Sequence, residues 1–118
     1  MRRTTPEVGT RATGGAVLSI DNDPLVVKSV QDFLEQEGFQ VALATSGMAG
    51  LDLARSAPPA LFLLDIMMPG MDGFEVCEAI RRDHALCKAP VIMLTAMDSQ
   101  NLNKRAFAAG ADAYRKIG

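Results

Sequence analysis

Between Ala60 and Gly73 the chain runs from unbroken apolar character into a carboxylate and then into a turn-rich segment. Leu61, Phe62, Leu63 and Leu64 offer no polar position to solvent. A strand here has to be covered on both faces, as a central strand of a parallel sheet is. A helix does not fit, because the proline pair at 58–59 and Pro69-Gly70 bracket the run too closely. Asp65 then stands at the carboxyl edge of that strand, where open α/β sheets place their ligand crevice. A carboxylate in this place can also do no more than cap a turn.

The flanking sequence alternates between strand and helix signals. Ala16 to Ile20 is predicted as a first strand. Asp23 and Pro24 then supply an N-cap and a proline at the first helical position. Val26, Val27, Val30, Phe33 and Leu34 recur at helical spacing, and Gly38 follows as a stop. Phe39 to Ala44 is predicted as a second strand. Ser46-Gly47 opens a short helix carrying Met48, Leu51 and Ala54, which ends before Pro58. After the central strand, Gly73 to about His84 forms a third helix with Phe74, Val76, Cys77 and Ile80 as its apolar positions. Pro90 to Leu94 is the fourth strand, residues 98–109 a fourth helix, and Ala113 to Ile117 a fifth strand. Such alternation specifies right-handed βαβ units and a parallel sheet.

At 118 residues the chain is one domain, with residues 1–15 read as a flexible N-terminal arm and 16–118 as the folded unit. With no tryptophan and one tyrosine, its core is aliphatic and rich in methionine. A net charge of −2 gives no electrostatic basis for direct nucleic-acid binding. Cys77 and Cys87 have neither metal-ligand spacing nor a nearby histidine partner. With no signal peptide or membrane span in view, they suggest reduced thiols in a cytoplasmic protein.

Three strand ends carry polar residues: Asp21-Asn22-Asp23, Asp65 and Thr95-Ala96. All carboxyl ends of a parallel sheet lie on one edge, so these groups can converge. Acidic and amide oxygens without cysteine or histidine suit Mg²⁺ rather than zinc. The Thr95 hydroxyl and a lysine late in the chain could hold phosphate oxygens beside such a cation. The implied chemistry is phosphoryl transfer, with Asp65 as a carboxylate nucleophile.

With these residues in place, residues 16 to about 115 resemble the receiver domain of bacterial two-component response regulators. The resemblance rests on SIDNDP, LLDIMMPGMDGFEV, VIMLTA and AFAAGADAY, in that order. LLDIMMPGMDG is highly specific, and the other motifs are individually weak. The resemblance implies a doubly wound, flavodoxin-like fold with a five-stranded parallel sheet in the order 2-1-3-4-5. It implies that Asp65 is the phosphoacceptor, charged by a histidine kinase or phosphotransfer protein. It implies a Mg²⁺ site made by Asp21, Asn22, Asp65 and the backbone carbonyl of Met67. Thr95 would bind the phosphoryl group and switch conformation together with Tyr114. A receiver of this kind is a signalling module whose only chemistry is its own phosphotransfer and dephosphorylation.

Two positions depart from the family pattern. Asn22 stands where the family usually has an acidic metal ligand, which removes one negative charge. The family's switch lysine falls at Ile117 and precedes a proline, where this chain has Gly118. Lys116 comes one residue earlier, and a single step along a strand turns a side chain to the other face. A degenerate receiver that binds partners without phosphorylation is therefore a second reading. A haloacid-dehalogenase-type phosphohydrolase is a third, from Asp21-x-Asp23, but the short chain leaves no room for a cap.

Receivers cover one sheet face with their first and fifth helices, and the sequence stops where the fifth would begin, so it is either a fragment or has that face covered by another chain. A partly bare face and a homodimer are the expectation. His84 and the Arg81-Arg82 pair read as solvated, and the methionines 67, 68, 71, 93 and 97 as core or loop packing. Met67 and Met97 would flank the site.

Overall fold

In a computed structural model, which describes residues 15–96 and 100–116, five strands form one sheet in the order β2-β1-β3-β4-β5. The elements follow in strict alternation: β1 (Val17–Ile20), α1 (Pro24–Gln36), β2 (Val41–Ala44), α2 (Gly47–Ser56), β3 (Leu61–Asp65), α3 (Gly73–Arg82), β4 (Val91–Thr95), α4 (Gln100–Ala108) and β5 (Ala113–Lys116). Every neighbouring pair of strands is parallel. The sheet order and the doubly wound architecture are those the sequence predicts. β3 lies at the centre and its Phe62, Leu63 and Leu64 are buried, which accounts for the unbroken apolar run.

Each early helix begins where a polar side chain can satisfy its orphan N–H groups. The Asp23 carboxylate accepts from Leu25 N at 3.0 Å and Pro24 occupies the first turn. The Ser46 hydroxyl accepts from Ala49 N at 3.1 Å. At α3 a capping box closes, with Glu75 N donating to Asp72 at 2.9 Å and Asp72 N donating to Glu75 at 3.0 Å.

The main core joins one sheet face to α2, α3 and α4. Leu18, Ile20, Phe62, Leu64, Val91 and Met93 meet Leu51, Ala54, Phe74, Val76, Cys77, Ile80 and Ala106 there. On the opposite face α1 lies over β1 and β2. Val27 is its buried residue.

Several expectations need correction. β2 begins at Val41, so Phe39 stays outside the strand and is 51% exposed. Phe33 and Met48 hold apolar helical positions yet project into solvent, at 63% and 65% exposure. Helix α3 stops at Arg82, before the exposed His84. Arg81 is not simply solvated. Its guanidinium donates to the carbonyls of Gly110, Cys87 and Ala89 at 2.9, 3.0 and 2.6 Å, and to Asp112 at 2.8 Å. The same Asp112 oxygen accepts from Val91 N at 2.9 Å. The expected N-terminal arm falls outside the described residues apart from Gly15, as do Met97, Ile117 and Gly118.

Candidate functional site

The strand register brings the predicted polar residues together. Ile20 is the partner of Leu64, so Asp21 and Asp65 leave the sheet side by side. Asp65 is in turn the partner of Leu94, which puts Thr95 one step beyond it on the neighbouring strand. These strand ends open into a cleft of about 430 Å³, lined by Asp21, Asn22, Asp23, Val26, Asp65, Met67, Thr95 and Ala96. The carboxyl-edge position read from the sequence is thus a cavity in the fold.

The loop after Asp65 is held tightly against the strand. Gly70 has a φ of 74°, a left-handed conformation that glycine adopts without a side-chain clash. Gly73 sits so close that a Cβ there would lie 2.5 Å from the Asp65 carbonyl oxygen and 2.8 Å from Ile66 Cα. Both neighbours are backbone, and Gly73 N donates to Ile66 O at 3.0 Å. The start of α3 is therefore fixed directly behind the candidate nucleophile. Met67 sits at the cleft mouth, 57% exposed, while Met68 turns inward and is buried.

The electrostatics centre on two carboxyl groups. Burial pushes the Asp65 carboxyl up to about 6, and the neighbouring Asp21 charge adds to the rise. Backbone N–H groups of Met67 and Ile66 act in the opposite direction. Asp21 is itself buried and its carboxyl is also raised, chiefly by desolvation, although its Oδ1 accepts from Asp23 N at 2.9 Å. Among the described residues no basic side chain lines the cleft.

Two facing carboxylates that resist being charged together favour a bound cation. The remaining donors are the Asn22 amide oxygen and backbone carbonyls, all hard oxygen ligands of the kind Mg²⁺ accepts. Among the described residues no group of three or more His, Cys, Asp or Glu side chains is placed to hold a metal. The facing carboxylates are the Asp21–Asp65 pair, with Asp23 beside them capping α1.

The remaining predicted residues are less uniformly placed. Thr95 is buried at the cleft wall. Tyr114 does not line the cleft; it packs half-buried against the main core, opposite Met93 in the β4–β5 register. Lys116 is exposed, pairs with Thr95 in that register, and is not among the lining residues. Val26 lines the cleft although its spacing marks it only as an apolar helical position. The Asp23-Pro24 cap carries the signal for it, because a helix starting at the sheet edge sets its first turn over that edge.

Comparison with known proteins agrees with this geometry. The DNA-binding dual master transcriptional regulator RpaA of Synechocystis is 41% identical over 98 residues, spanning 83% of this chain and 41% of that protein. Transcriptional regulatory protein AfsQ1 of Streptomyces coelicolor is 40% identical over 84% of this chain and 43% of its own length. The chain thus spans less than half of these relatives. Among solved structures, the chemotaxis protein CheY4 of Vibrio cholerae matches with a TM-score of 0.83 and 28% identity, over 86% of this chain and 85% of that one. The N-terminal domain of a response regulator receiver protein from Methanoculleus marisnigri matches with a TM-score of 0.80 and 34% identity, over 87% and 84%. Residues 17–115 match the family model of the response regulator receiver domain, and the chain belongs to that family.

Proposed function

We propose that the chain is a phosphoacceptor of a two-component system. It takes a phosphoryl group on Asp65 from a histidine kinase or a phosphotransfer protein in the cytoplasm, and changes conformation to control an output. The observation that carries this reading is the Asp65–Asp21 pair at the carboxyl edge of the central strand, open to a cleft with no lysine or arginine among the described residues of its wall.

In the reaction an ionised Asp65 oxygen attacks phosphorus and forms the acyl phosphate bond. The phosphorus–nitrogen bond of a phosphohistidine breaks, or the phosphorus–oxygen bond of acetyl phosphate, and the leaving group keeps the electron pair. Asp21, Asn22, Asp65 and the Met67 carbonyl would hold Mg²⁺. When bound, the cation supplies positive charge for the facing carboxylates and the phosphoryl oxygens. The Thr95 hydroxyl donates to a phosphoryl oxygen, and Tyr114, on the same side of the sheet, moves with it. Phosphorylation adds roughly −1.5 to −2 of charge at this edge, a local bias on a two-state element. Lys116 would join the clamp only by reaching over the strand edge from outside the cleft.

Incubation with acetyl phosphate and Mg²⁺ tests the proposal by mass spectrometry. One phosphoryl mass is expected, lost with a chelator and absent from Asp65→Asn. A mass shift that survives in Asp65→Asn would move the acceptor elsewhere, and none in the native chain would overturn the reading. The second reading, a receiver that binds its partners without phosphorylation, is favoured by the neutral Asn22 and the outlying Lys116. It expects no mass shift and the same partner affinity in Asp65→Asn as in the native chain.

A further inference from the structure

We infer that the cation site of this chain is set for weak binding, so that its occupancy follows the free Mg²⁺ concentration, and that Asn22 sets it. The inference rests on the proposed function, which places a divalent cation at Asp21, Asn22 and Asp65. Ligand charge strongly governs the affinity of oxygen-ligand cation sites, and Mg²⁺ gives up its waters reluctantly. In this cleft Asp21 and Asp65 face each other, the third carboxylate, Asp23, caps α1, and Asn22 contributes an oxygen dipole without a charge.

Asp23 is the nearby carboxylate that could replace the missing charge, and it is engaged elsewhere. Its Oδ1 takes the Leu25 N–H at 3.0 Å and caps α1. Its own N–H goes to Asp21 Oδ1 at 2.9 Å, which fixes the turn in that orientation. Asp23 already lines the cleft, but turning its capping oxygen from the Leu25 N–H to a cation would uncap the helix whose first turn forms the cleft wall through Val26. The exposed Asn22 sits between these two acids and has the open position.

Calorimetric titration of Mg²⁺ into the metal-free chain at fixed ionic strength tests this, alongside Asn22→Asp, Asn22→Ala and Asp23→Asn. Adding a charge beside a divalent ion, offset by repulsion from Asp21 and Asp65, should tighten binding about tenfold in Asn22→Asp. Asn22→Ala should weaken it, and Asp23→Asn should leave it within about twofold of the native chain with little change in melting temperature, because the asparagine oxygen still caps α1. Mg²⁺ should also raise the melting temperature of Asn22→Asp more than that of the native chain. Equal affinity in the native chain, Asn22→Asp and Asn22→Ala would overturn the inference, as would loss of binding in Asp23→Asn. If Mg²⁺ binds with this ranking but acetyl phosphate adds no mass at saturating Mg²⁺, the proposed function fails and the inference stands. If neither the native chain nor Asn22→Asp binds Mg²⁺, the cation reading falls for both.

Discussion

An isolated aspartate is fully ionised at neutral pH, but Asp65 is held where its charge is costly. Burial and the Asp21 charge push its carboxyl up to about 6. The nucleophile of the proposed phosphoryl transfer is the ionised form, so on that reading the fold gives up stability at the point where it needs reactivity. A carboxyl whose folded pKa lies above its unfolded value contributes stability at low pH, and that contribution is lost as pH rises through the folded value. Asn at this position has no charge to lose. In metal-free buffer, Asp65→Asn should therefore match the native chain near about pH 4, gain on it as pH rises toward about 6, and hold that advantage above about pH 7. The full shift would correspond to roughly 3 kcal/mol, and partial solvation of the carboxyl reduces the expected gain to about 1–2 kcal/mol. Thermal melts across this range decide it. A gap that does not change with pH, or a native chain more stable than Asp65→Asn at high pH, would show that Asp65 is not destabilised by its own charge. Added Mg²⁺ should shrink the gap, because it stabilises only the chain that keeps the carboxylate.

Among the elements, the ends of the helices were easier to read than their faces. Asp23-Pro24 and Ser46-Gly47 are local signals, and a helix begins beside each of them, whereas the Asp72–Glu75 box at α3 was not read from the sequence. The site was legible for a related reason. Once β1, β3 and β4 are parallel, Asp21, Asp65 and Thr95 must share an edge, whatever the details of packing. Which apolar side chains turn inward was not legible: Phe33, Phe39 and Met48 follow strand or helix patterning but meet no covering element. Arg81 was misread because its partners are distant in sequence, with Gly110 lying 29 residues away and Asp112 lying 31 away. Its planar guanidinium ties the end of α3 to the loop before β4 and to the turn before β5 by donating to carbonyls of both. Arg81→Ala should cost about 2–3 kcal/mol in urea unfolding followed by circular dichroism. Arg81→Lys should recover less than half of that loss, because an ammonium cannot span the same set of acceptors. A loss under about 0.5 kcal/mol would return Arg81 to the status of a surface residue.

Over the whole molecule, the two faces of the sheet are unequally covered. α2, α3 and α4 close one face, whereas among the described residues α1 alone lies on the other. Beside α1 this leaves a groove of about 430 Å³ lined by Ser29, Val30, Phe33, Leu34, Leu63, Ile92, Leu94 and Arg115. Ile92 and Leu94, from a strand one place from the sheet edge, remain only half-buried there, and Phe33 stands at the rim with 63% of its surface exposed. An apolar face of a parallel sheet is ordinarily covered, and an uncovered one promotes association. Burying about 300 Å² of apolar surface on each of two copies at ~25 cal/mol per Å² would contribute roughly 15 kcal/mol. The loss of translational, rotational and side-chain freedom is of similar size, so the expected outcome is a weak dimer rather than a permanent one. Sedimentation should show the average mass rising with protein concentration across the micromolar range, and an apolar dye should fluoresce on the dilute monomer. Ile92→Lys puts a charge on the groove floor near Arg115 and should reduce both signals without changing the proposed acetyl phosphate reaction at Asp65. A native chain that stays monomeric and binds no dye would mean that residues outside those described here already cover the groove.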